Sequence, residues 1–560
     1  MSGLSAARLR TLFALFAVLT IILSVRVAYW QTVARGELLA RATGQVRSDE
    51  VLRAQRGTIR DRSGAILAAT VQLRSVYAIP ARIKDKAAAA RSLGVLLGRD
   101  SAPILERLRS DAEWVFIQRR IPEAAAEAIA RLGIDGLGSI LEPKRLYPND
   151  DLAAHVLGFV NDDGAGQGGV EGRYDALLRG EDGTLVVERD PADRGIALGL
   201  RQAVAPRDGA ALTLTIDLAV QTAAERALRE AIDRERAASG SIVVLDPRDG
   251  AVRAMASLPT FHPAAVATAT PESLRSRAIA WEYEPGSTLK AITMAAGLDT
   301  GAVTPSSWYD DKGYADIGGR RLLNALGRAW GPTNMTQVLE RSANAGAVYV
   351  GSRLGAQRLY DAIGTFGLGR PTGIDLAGEV GGTVRPLAEW YPVDVGTAAF
   401  GQGLTVTPLQ LACAYAAIAN GGTLYRPYVV ASWRDADGEH RTAPATTGRV
   451  VSRETAATLR DMLVSAVDNG LAQGARIAGF SVAGKTGTAQ IPSPDGRYVD
   501  DEYISSFAGF APAIDPSFVV VIVLERPASK LLGTTTAMAA FTRVAQDTFR
   551  YARIQPDRRP

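Results

Sequence analysis

Lysine is scarce in this chain, and the few lysines are therefore chemically informative. The 63 Lys and Arg residues include only seven lysines. Arginine stays protonated in proteins, whereas a buried lysine can become a neutral amine that serves as a base. Where a sequence that otherwise uses arginine for positive charge contains a lysine, we expect a local function that requires the amine. Lys290 and Lys485 are the two that stand in motifs with other reactive side chains.

The first motif is Glu284-Pro-Gly-Ser-Thr-Leu-Lys290. Pro and Gly directly before Ser287, with an apolar run after it, predict that the serine lies at a helix N-terminus. Ser287 and Lys290 are then i and i+3 on one helix face, and a neutral lysine could take the hydroxyl proton. Taken alone, the pair also fits a capping serine beside a solvated lysine.

Two further motifs follow along the chain. Ser342-Ala-Asn344 separates two helical stretches, and its hydroxyl and amide could relay a proton and hold a substrate amide. Lys485-Thr-Gly-Thr488 lies in a strand-like run, where Gly487 would let a ligand backbone approach closely. A second ammonium near Lys290 would lower the pKa of Lys290 by like-charge repulsion. Each motif is weak alone, but the three in this order form a specific set.

One stretch of the sequence matches the pattern of a phosphate-binding loop but does not meet its structural requirement. Residues Gly479–Thr486 match its pattern, but such a loop must open a helix. Gly487, Pro492 and Pro494 follow instead, so we expect a strand and no nucleotide.

Other chemistries also find little support. His155, His262 and His440 lie in no setting that suggests a catalytic base, and we expect them on the surface or in the core. The one cysteine, Cys413, lies in the apolar run Leu409–Ala417 and is predicted to be buried. It permits neither an intramolecular disulfide nor a Cys/His metal cluster, so we expect no metal and no cofactor. A net charge of +4 without long basic runs argues against nucleic acid as the partner.

The N-terminus carries a candidate membrane anchor. Residues 11–25 contain no charge, and the apolar character resumes after Arg26 through Trp30. About 20 such residues span a bilayer as a helix, so we predict a cytoplasmic tail at 1–10 and a transmembrane anchor at 11–30. Arg26 would reach the interface beside Trp30. A cleaved signal peptide is the alternative, but no clear A-x-A site follows.

The elements that must position these motifs predict an α+β fold. A chain of 560 residues is too long for one ordinary core. We predict a strand at Leu212–Ile216, a helix capped by Asp217, and a hairpin of Ser241–Leu245 with Arg253–Ser257. Three C-terminal strands are predicted at Ser481–Gln490, Ile504–Ala513 and Phe518–Glu525. The predicted domains are 31–205, 206–548 and a tail at 549–560.

Several further motifs, together with the three above, resemble the class B penicillin-binding proteins. Those that resemble the membrane-proximal pedestal domain of that family are Arg56–Gly64, Glu142–Pro148, Ala153–Gly158 and Gly168–Gly172. Those that resemble its transpeptidase domain are Leu214–Asp217, Ala399–Gly403 and Leu409–Ala412. The resemblance implies a transmembrane helix, an elongated pedestal, and a transpeptidase domain with a mostly antiparallel sheet flanked by helices. His262 and Ala291 depart from common family residues.

The resemblance also implies roles for the motif residues. Ser287 would attack the penultimate D-alanine carbonyl of a peptidoglycan stem peptide, with Lys290 as general base. Ser342 and Lys485 would shuttle the proton, and Asn344 would position the donor peptide. Backbone N–H groups of Ser287 and Thr488 would form the oxyanion hole. The substrate-binding strand would be Thr486, Gly487 and Thr488, and the hydroxyls of Thr486 and Thr488 would hold the carboxylate of substrate or penicillin.

The biology that the resemblance implies is septal cell-wall cross-linking on the periplasmic side of the bacterial inner membrane. The expected partners are stem peptides, β-lactams as covalent inhibitors, a SEDS-family glycan polymerase and other divisome proteins. An elongation-specific transpeptidase is the runner-up. A carboxypeptidase or β-lactamase on the same fold, and a β-lactam-binding scaffold, stay open. A loop around Asp495–Asp501 could close over the site.

Overall fold

A computed structural model of the chain describes residues 3–38, 47–188, 201–493, 498–528 and 535–558. The chain divides into two compact units, Met1–Gln55 with Gly180–Gly209, and Arg56–Arg179 with Ala210–Pro560. This division follows contacts and not chain order, and the domain boundaries given above stay predictions. The loop predicted around Asp495–Asp501 lies partly outside the described residues.

The elements that precede residue 205 are short, apart from the first helix and one long strand. The helices are α1 Gly3–Thr32, α2 Lys86–Leu97, α3 Ser101–Arg109, α4 Glu123–Ala130, α5 Ala154–Leu157, α6 Gly169–Arg173 and α7 Asp175–Arg179. The strands are β1 Arg47–Leu52, β2 Ile59–Arg60, β3 Ile66–Ala78, β4 Val115–Ile121, β5 Leu137–Leu146, β6 Phe159–Val160, β7 Gly166–Gln167, β8 Gly183–Glu188 and β9 Arg201–Val204.

The rest of the chain alternates strands with longer helices. The helices are α8 Leu218–Glu235, α9 Pro271–Leu274, α10 Arg277–Ala280, α11 Lys290–Asp299, α12 Met335–Arg341, α13 Asn344–Leu354, α14 Ala356–Thr365, α15 Pro392–Ala399, α16 Pro408–Ala419, α17 Arg453–Asp468 and α18 Thr536–Ala552. The strands are β10 Ala211–Leu214, β11 Ser239–Leu245, β12 Val252–Leu258, β13 Trp308–Asp311, β14 Tyr314–Ile317, β15 Arg320–Leu323, β16 Gly331–Asn334, β17 Thr423–Tyr425, β18 Val430–Asp435, β19 Gly438–Arg441, β20 Thr446–Arg449, β21 Ala483–Pro492, β22 Tyr498–Ala511 and β23 Phe518–Glu525.

The first unit contains α1 and a small antiparallel sheet in the order β1-β8-β9. Within α1, the apolar segment Ala6–Thr32 is 27 residues long, and 18 consecutive residues of it have a mean hydropathy of 2.3. Its large apolar side chains are exposed. At 1.5 Å per residue this segment is longer than the ~30 Å hydrocarbon core of a bilayer. The Arg26 guanidinium lies 5.1 Å from the Trp30 ring centroid, consistent with the predicted interfacial pair. The described residues thus contain one helix long and apolar enough to cross a membrane.

A seven-stranded sheet in the second unit connects the beginning of that unit with its later part. The strand order is β19-β18-β10-β2-β3-β4, and β5 pairs with β3. Strand β2 pairs in parallel with β10, bringing Ile59 opposite Leu212. Both side chains are fully buried. The Arg56–Gly64 motif and the Leu214–Asp217 motif therefore share one sheet and one core.

The sheet that positions the reactive motifs has five antiparallel strands in the order β12-β11-β23-β22-β21. The central strand β23 is buried on both faces, which explains its unbroken apolar sequence. One face packs against α8 and α18, and the other packs against α16. Asp217 caps α8 by accepting hydrogen bonds from the N–H groups of Ala219 and Val220, as the sequence predicts. The α+β prediction with a mostly antiparallel sheet is confirmed.

A buried ion cluster joins three of the motifs that resembled the pedestal. Glu171 of the Gly168–Gly172 motif accepts hydrogen bonds from Arg56 and Arg145, each at 2.7 Å. The Glu171 side chain is fully buried, and the two arginines are 8% and 5% exposed. Arg145 also donates to the Gly57 carbonyl at 2.7 Å. Glu171 thus pairs with both buried guanidinium groups, and Asp175 is a second carboxylate partner of Arg56 at 2.7 Å.

Replacing Glu171 by Gln should destabilise the protein strongly, because the buried Arg145 guanidinium would lose its carboxylate partner and Arg56 would keep only Asp175. We expect a loss of about 3–5 kcal/mol in the free energy of unfolding, measured by chemical denaturation of the purified protein. Glu123→Gln is the control, since Glu123 pairs with Arg74 at the surface and should contribute at most about 1 kcal/mol. Equal losses in the free energy of unfolding for the two variants would contradict a stabilising role of Glu171 in the buried cluster.

Candidate active site

The predicted nucleophile lies in a tight turn that opens a helix. Residues Gly286–Leu289 form a 3-10 turn that runs directly into α11 at Lys290. Side chains three residues apart are eclipsed in a 3-10 helix. Ser287 Oγ and Lys290 Nζ accordingly lie 2.9 Å apart. The predicted helix N-terminus is confirmed. Its first turn is a 3-10 turn, which aligns the two side chains along the helix axis more closely than an α-turn would.

The turn is held by backbone contacts from two other segments. The Gly286 N–H donates to the Gly401 carbonyl at 2.9 Å. Gly401 has φ +85°, and a Cβ there would overlap the Gly286 backbone, so only glycine fits. From the α16 side, the buried Tyr415 hydroxyl donates to the Thr288 carbonyl at 2.8 Å. The Ala399–Gly403 motif therefore supports the nucleophile at close range.

Ser342 and Asn344 approach Lys290 from the junction of α12 and α13. Ser342 ends α12 with φ +54°, a left-handed conformation that is strained for a serine. This conformation brings the Ser342 carbonyl to 2.6 Å and its Oγ to 3.3 Å from Lys290 Nζ. Asn344, the first residue of α13, places Oδ1 at 2.7 Å from the same nitrogen. The predicted break between two helices is where the sequence placed it.

Lys485 reaches the cluster from β21, an edge strand of the five-stranded sheet. Its Nζ donates to Ser342 Oγ at 2.8 Å and to the Thr486 carbonyl at 3.2 Å. Ser342 Oγ thus lies between the two lysine amines. The structure brings together all four residues that the sequence proposed as catalytic, Ser287, Lys290, Ser342 and Lys485.

Both lysines lie in an environment that favours the neutral amine. Lys290 and Lys485 are each 1% exposed. Burial, followed by the charge of Lys485, holds the pKa of Lys290 well below its usual range. Burial lowers the pKa of Lys485 to about 7. The sequence predicted the like-charge effect on Lys290, but burial is the larger cause.

Gly487 permits a close approach, although the approaching group is part of the protein. A Cβ at this position would overlap Ser506 Oγ and would lie 2.9 Å from Thr288 Cγ2 and 3.1 Å from the Pro285 carbonyl. The glycine therefore lets β21 pack against the nucleophile turn. Its predicted contact with a ligand backbone stays a prediction.

The two threonines of the third motif flank that glycine on β21. Thr486 is 5% exposed, and Thr488 is half-buried. The Thr488 carbonyl lies against Gly286, on the side of β21 away from β22. A residue in an antiparallel strand directs its N–H and C=O to the same side. The Thr488 N–H therefore also faces the nucleophile turn.

Glu284 is a site-adjacent residue that the sequence reasoning did not single out. It is 7% exposed and accepts hydrogen bonds from the Gly403 N–H at 2.8 Å and the Tyr498 hydroxyl at 3.1 Å. Burial raises the pKa of this carboxyl. The sequence feature that could have identified Glu284 is its position three residues before Ser287, together with the glycines of the Ala399–Gly403 motif.

The hydrogen bonds described above for the catalytic cluster involve none of the three histidines and not the cysteine. Buried His155 pairs its Nε2 with the Ser273 carbonyl at 2.8 Å, while His262 and His440 lie near surface carboxylates. Cys413 is buried in α16, as predicted. The stretch that matched a phosphate-binding loop leads into strand β21, which confirms that no helix begins there.

Comparisons with known proteins agree with this geometry. The chain matches the penicillin binding protein transpeptidase domain over residues 240–546 and the penicillin-binding protein dimerisation domain over residues 51–214. It is 33% identical to stage V sporulation protein D of Bacillus subtilis, covering 98% of this chain and 86% of that protein. It is 32% identical to peptidoglycan D,D-transpeptidase FtsI of Escherichia coli, covering 95% and 90%.

Solved structures extend the likeness to the fold. The crystal structure of penicillin-binding protein 3 of Mycobacterium tuberculosis complexed with aztreonam superposes with a TM-score of 0.71 at 28% identity. That superposition covers 91% of this chain and 98% of the solved one. A transpeptidase domain preceded by a dimerisation domain, together with relatives similar over almost the whole chain, makes this protein a member of the class B penicillin-binding proteins.

Proposed function

We propose that this protein is a peptidoglycan D,D-transpeptidase that cross-links stem peptides through an acyl-enzyme on Ser287. The observation that carries the proposal is the buried cluster in which Lys290 Nζ lies 2.9 Å from Ser287 Oγ and Ser342 Oγ bridges Lys290 to Lys485. Relatives named peptidoglycan D,D-transpeptidase support the same reaction.

The contacts of Lys290 support a neutral amine as the state that begins the reaction. Its Nζ has four oxygen neighbours, Ser287 Oγ, Ser342 O, Ser342 Oγ and Asn344 Oδ1. An ammonium has three donors, whereas a neutral amine has two donors and a lone pair. The two shortest contacts, at 2.6 and 2.7 Å, go to oxygens that only accept. A neutral Lys290 that donates to both would direct its lone pair toward the Ser287 hydroxyl.

Acylation then follows with a balanced proton transfer. Ser287 Oγ bonds to the penultimate D-alanine carbonyl carbon as its proton passes to Lys290 Nζ. The tetrahedral intermediate collapses by breaking the C–N bond to the terminal D-alanine. The leaving amine receives a proton relayed from Lys290 through the Ser342 hydroxyl, with Lys485 donating to that hydroxyl. An ester on Ser287 remains, and free D-alanine departs.

The remaining site residues serve binding and charge stabilisation. The N–H groups of Ser287 and Thr488 would donate to the oxyanion, a contribution of about 3–4 kcal/mol per donor. Thr486 and Thr488 would hold the carboxylate, and Asn344 would present its second amide hydrogen to the donor peptide. An amine of a stem peptide on a neighbouring peptidoglycan strand then attacks the ester carbon. This step forms the new amide bond and returns a proton to Ser287.

The cellular setting is part of the proposal. Residues 1–10 form a cytoplasmic tail and 11–30 a single-pass anchor in the inner membrane, with the pedestal 31–205 and transpeptidase domain 206–548 on the periplasmic side. The apolar Ala6–Thr32 segment supports the anchor. The chain length and three motifs resemble the septal type, namely Gly168–Gly172, Arg179–Gly183 and Ser506–Pro512. A septal enzyme would work with a SEDS-family polymerase and other divisome proteins.

A fluorescent penicillin should label the wild-type protein covalently and should not label Ser287→Ala. The label is an ester on Ser287, so removing the hydroxyl removes the bond-forming atom. Labelling of the purified full-length protein is read on a denaturing gel, with the exposed Ser306→Ala as a matched control that labels like wild type. A wild-type band that fades within minutes would indicate a hydrolase, and equal labelling of Ser287→Ala would refute the assignment.

The depressed pKa of Lys485 predicts that stability depends on pH. The folded state releases the Lys485 proton near pH 7, whereas the unfolded chain holds it to about 10.4. Between these values the unfolded state binds the extra proton, so wild-type stability should rise with pH relative to Lys485→Met. The difference should change by at most about 1.4 kcal/mol per pH unit.

This pH dependence can be measured as the apparent melting temperature of both proteins between pH 7 and 9. The exposed Lys84→Met serves as the control, because its side chain bears no burial penalty, and its offset from wild type should stay constant. A constant offset for Lys485→Met as well would show that Lys485 does not titrate in this range.

A further inference from the structure

Four short strands between α11 and α12 form a small lobe beside the catalytic cluster. We call residues 308–334 the β13–β16 lobe, in which β13 pairs with β16 and β14 pairs with β15. The turn after β15 lies against the beginning of α13, where Asn344 is located. None of the three reactive motifs lies in this lobe, yet it contains three buried polar residues, Asp311, Asn324 and Thr333, of which the first two contact each other.

Asp311 is buried with all of its hydrogen-bonding capacity directed inside the lobe. It is 1% exposed. It accepts from the Asn324 amide at 2.9 and 3.0 Å, from the Gly313 N–H at 2.8 Å and from the Tyr309 hydroxyl at 2.8 Å. A carboxylate in such a place is stable only with these donors in position. Asp311 therefore determines which atoms its neighbours can turn toward it.

Asn324 transmits this constraint to α13. Because an ionised carboxylate only accepts, the Asn324 Nδ2 must face Asp311, and it also donates to the Arg328 carbonyl at 2.9 Å. The opposite amide atom, Oδ1, then accepts from the Ala345 N–H at 2.9 Å. Asn324 is 4% exposed, so water does not offer it an alternative partner.

Asn344 is the next link, and its orientation is fixed in the same way. Its Nδ2 donates at 2.9 Å to the carbonyl of Leu323, the residue before Asn324. A carbonyl only accepts, so the Asn344 Oδ1 must be the atom that faces Lys290, at 2.7 Å. A flipped Asn344 amide would present hydrogens to Lys290 and attract its lone pair away from Ser287.

We propose that Asp311 and Asn324 are positioning residues of the transpeptidation reaction, which hold Leu323 and α13 so that Asn344 directs the Lys290 lone pair at Ser287. The inference rests on the proposed function, because it assigns these residues to the orientation of its general base. They touch neither substrate nor the reacting atoms. Their effect on the chemistry passes through the Leu323 carbonyl, the Ala345 N–H and the Asn344 amide.

The test separates the acylation rate from binding. In Asp311→Asn an amide NH2 group replaces one of the two carboxylate oxygens. The three donor groups around this side chain then have one acceptor fewer, so the hydrogen bond with Asn324 loses its fixed orientation. We expect the acylation rate constant for a chromogenic cephalosporin to fall about ten- to hundredfold. The dissociation constant of the complex before acylation should stay within about twofold of wild type, because Asp311 does not touch the ligand. A twofold change corresponds to ~0.4 kcal/mol of binding free energy. Rates are normalised to the fraction of protein that finally forms the adduct, which removes any contribution of misfolded molecules.

Two further variants make the result decisive. Asp316→Asn is the matched control in the same lobe, because Asp316 pairs with Arg321 at the surface with both side chains 57% exposed, and it should acylate like wild type. Tyr309→Phe removes one donor to Asp311 while keeping the ring that stacks on Tyr349, so it should lower the same rate constant more mildly. If Asp311→Asn does not fold, the Tyr309→Phe rate decides.

Unchanged normalised acylation in both Asp311→Asn and Tyr309→Phe would overturn the inference, as would a loss confined to the dissociation constant. Either outcome would leave the proposed function intact, since wild type would still acylate on Ser287. Failure of the wild-type protein to acylate would instead refute the proposed function itself.

Discussion

The rest of the site depends on the burial of two amines a few ångströms apart. Transferring an ammonium out of water is unfavourable, and two like charges in one small space repel each other. Lys290 and Lys485 can share the cluster because at least one of them gives up its proton, and Ser342 Oγ is hydrogen-bonded to both amines. The same constraint explains why arginine, which keeps its proton, cannot substitute at either position.

Three separate segments must converge to maintain that burial. The 3-10 turn at Gly286–Leu289, the α12–α13 junction and the edge strand β21 each contribute one motif. They approach closely because Gly487 lets β21 meet the turn and Gly401 lets a third backbone meet Gly286. The five-stranded sheet, with its core packed on both faces, provides the rigid edge against which the turn is placed. Precision at the cluster therefore originates in backbone packing around glycines.

The sequence predicted what depends on local periodicity or on the three reactive motifs, and it missed supporting residues whose contacts are distant along the chain. The i, i+3 spacing placed Ser287 beside Lys290, alternation placed Lys485 on a strand, and Asp217 was recognised as a helix cap. Glu284 was missed because its partner, Gly403, is 119 residues away. Asp311 and Asn324 were missed because neither lies in a periodic pattern with the motifs they support. Such contacts exist only after the fold has formed, so local spacing alone does not identify the partners.

Several violations of local preference lie at or beside the catalytic cluster. A serine in the left-handed conformation, two buried lysines and a buried glutamic acid each reduce stability by ordinary rules. Natural sequences tolerate such conflicts mainly at functional sites, where the surrounding structure compensates for them. Here the apolar burial of strand β23 contributes stability against these costs. The strain at Ser342 is thus the structural consequence of directing one residue's carbonyl and hydroxyl at the same amine.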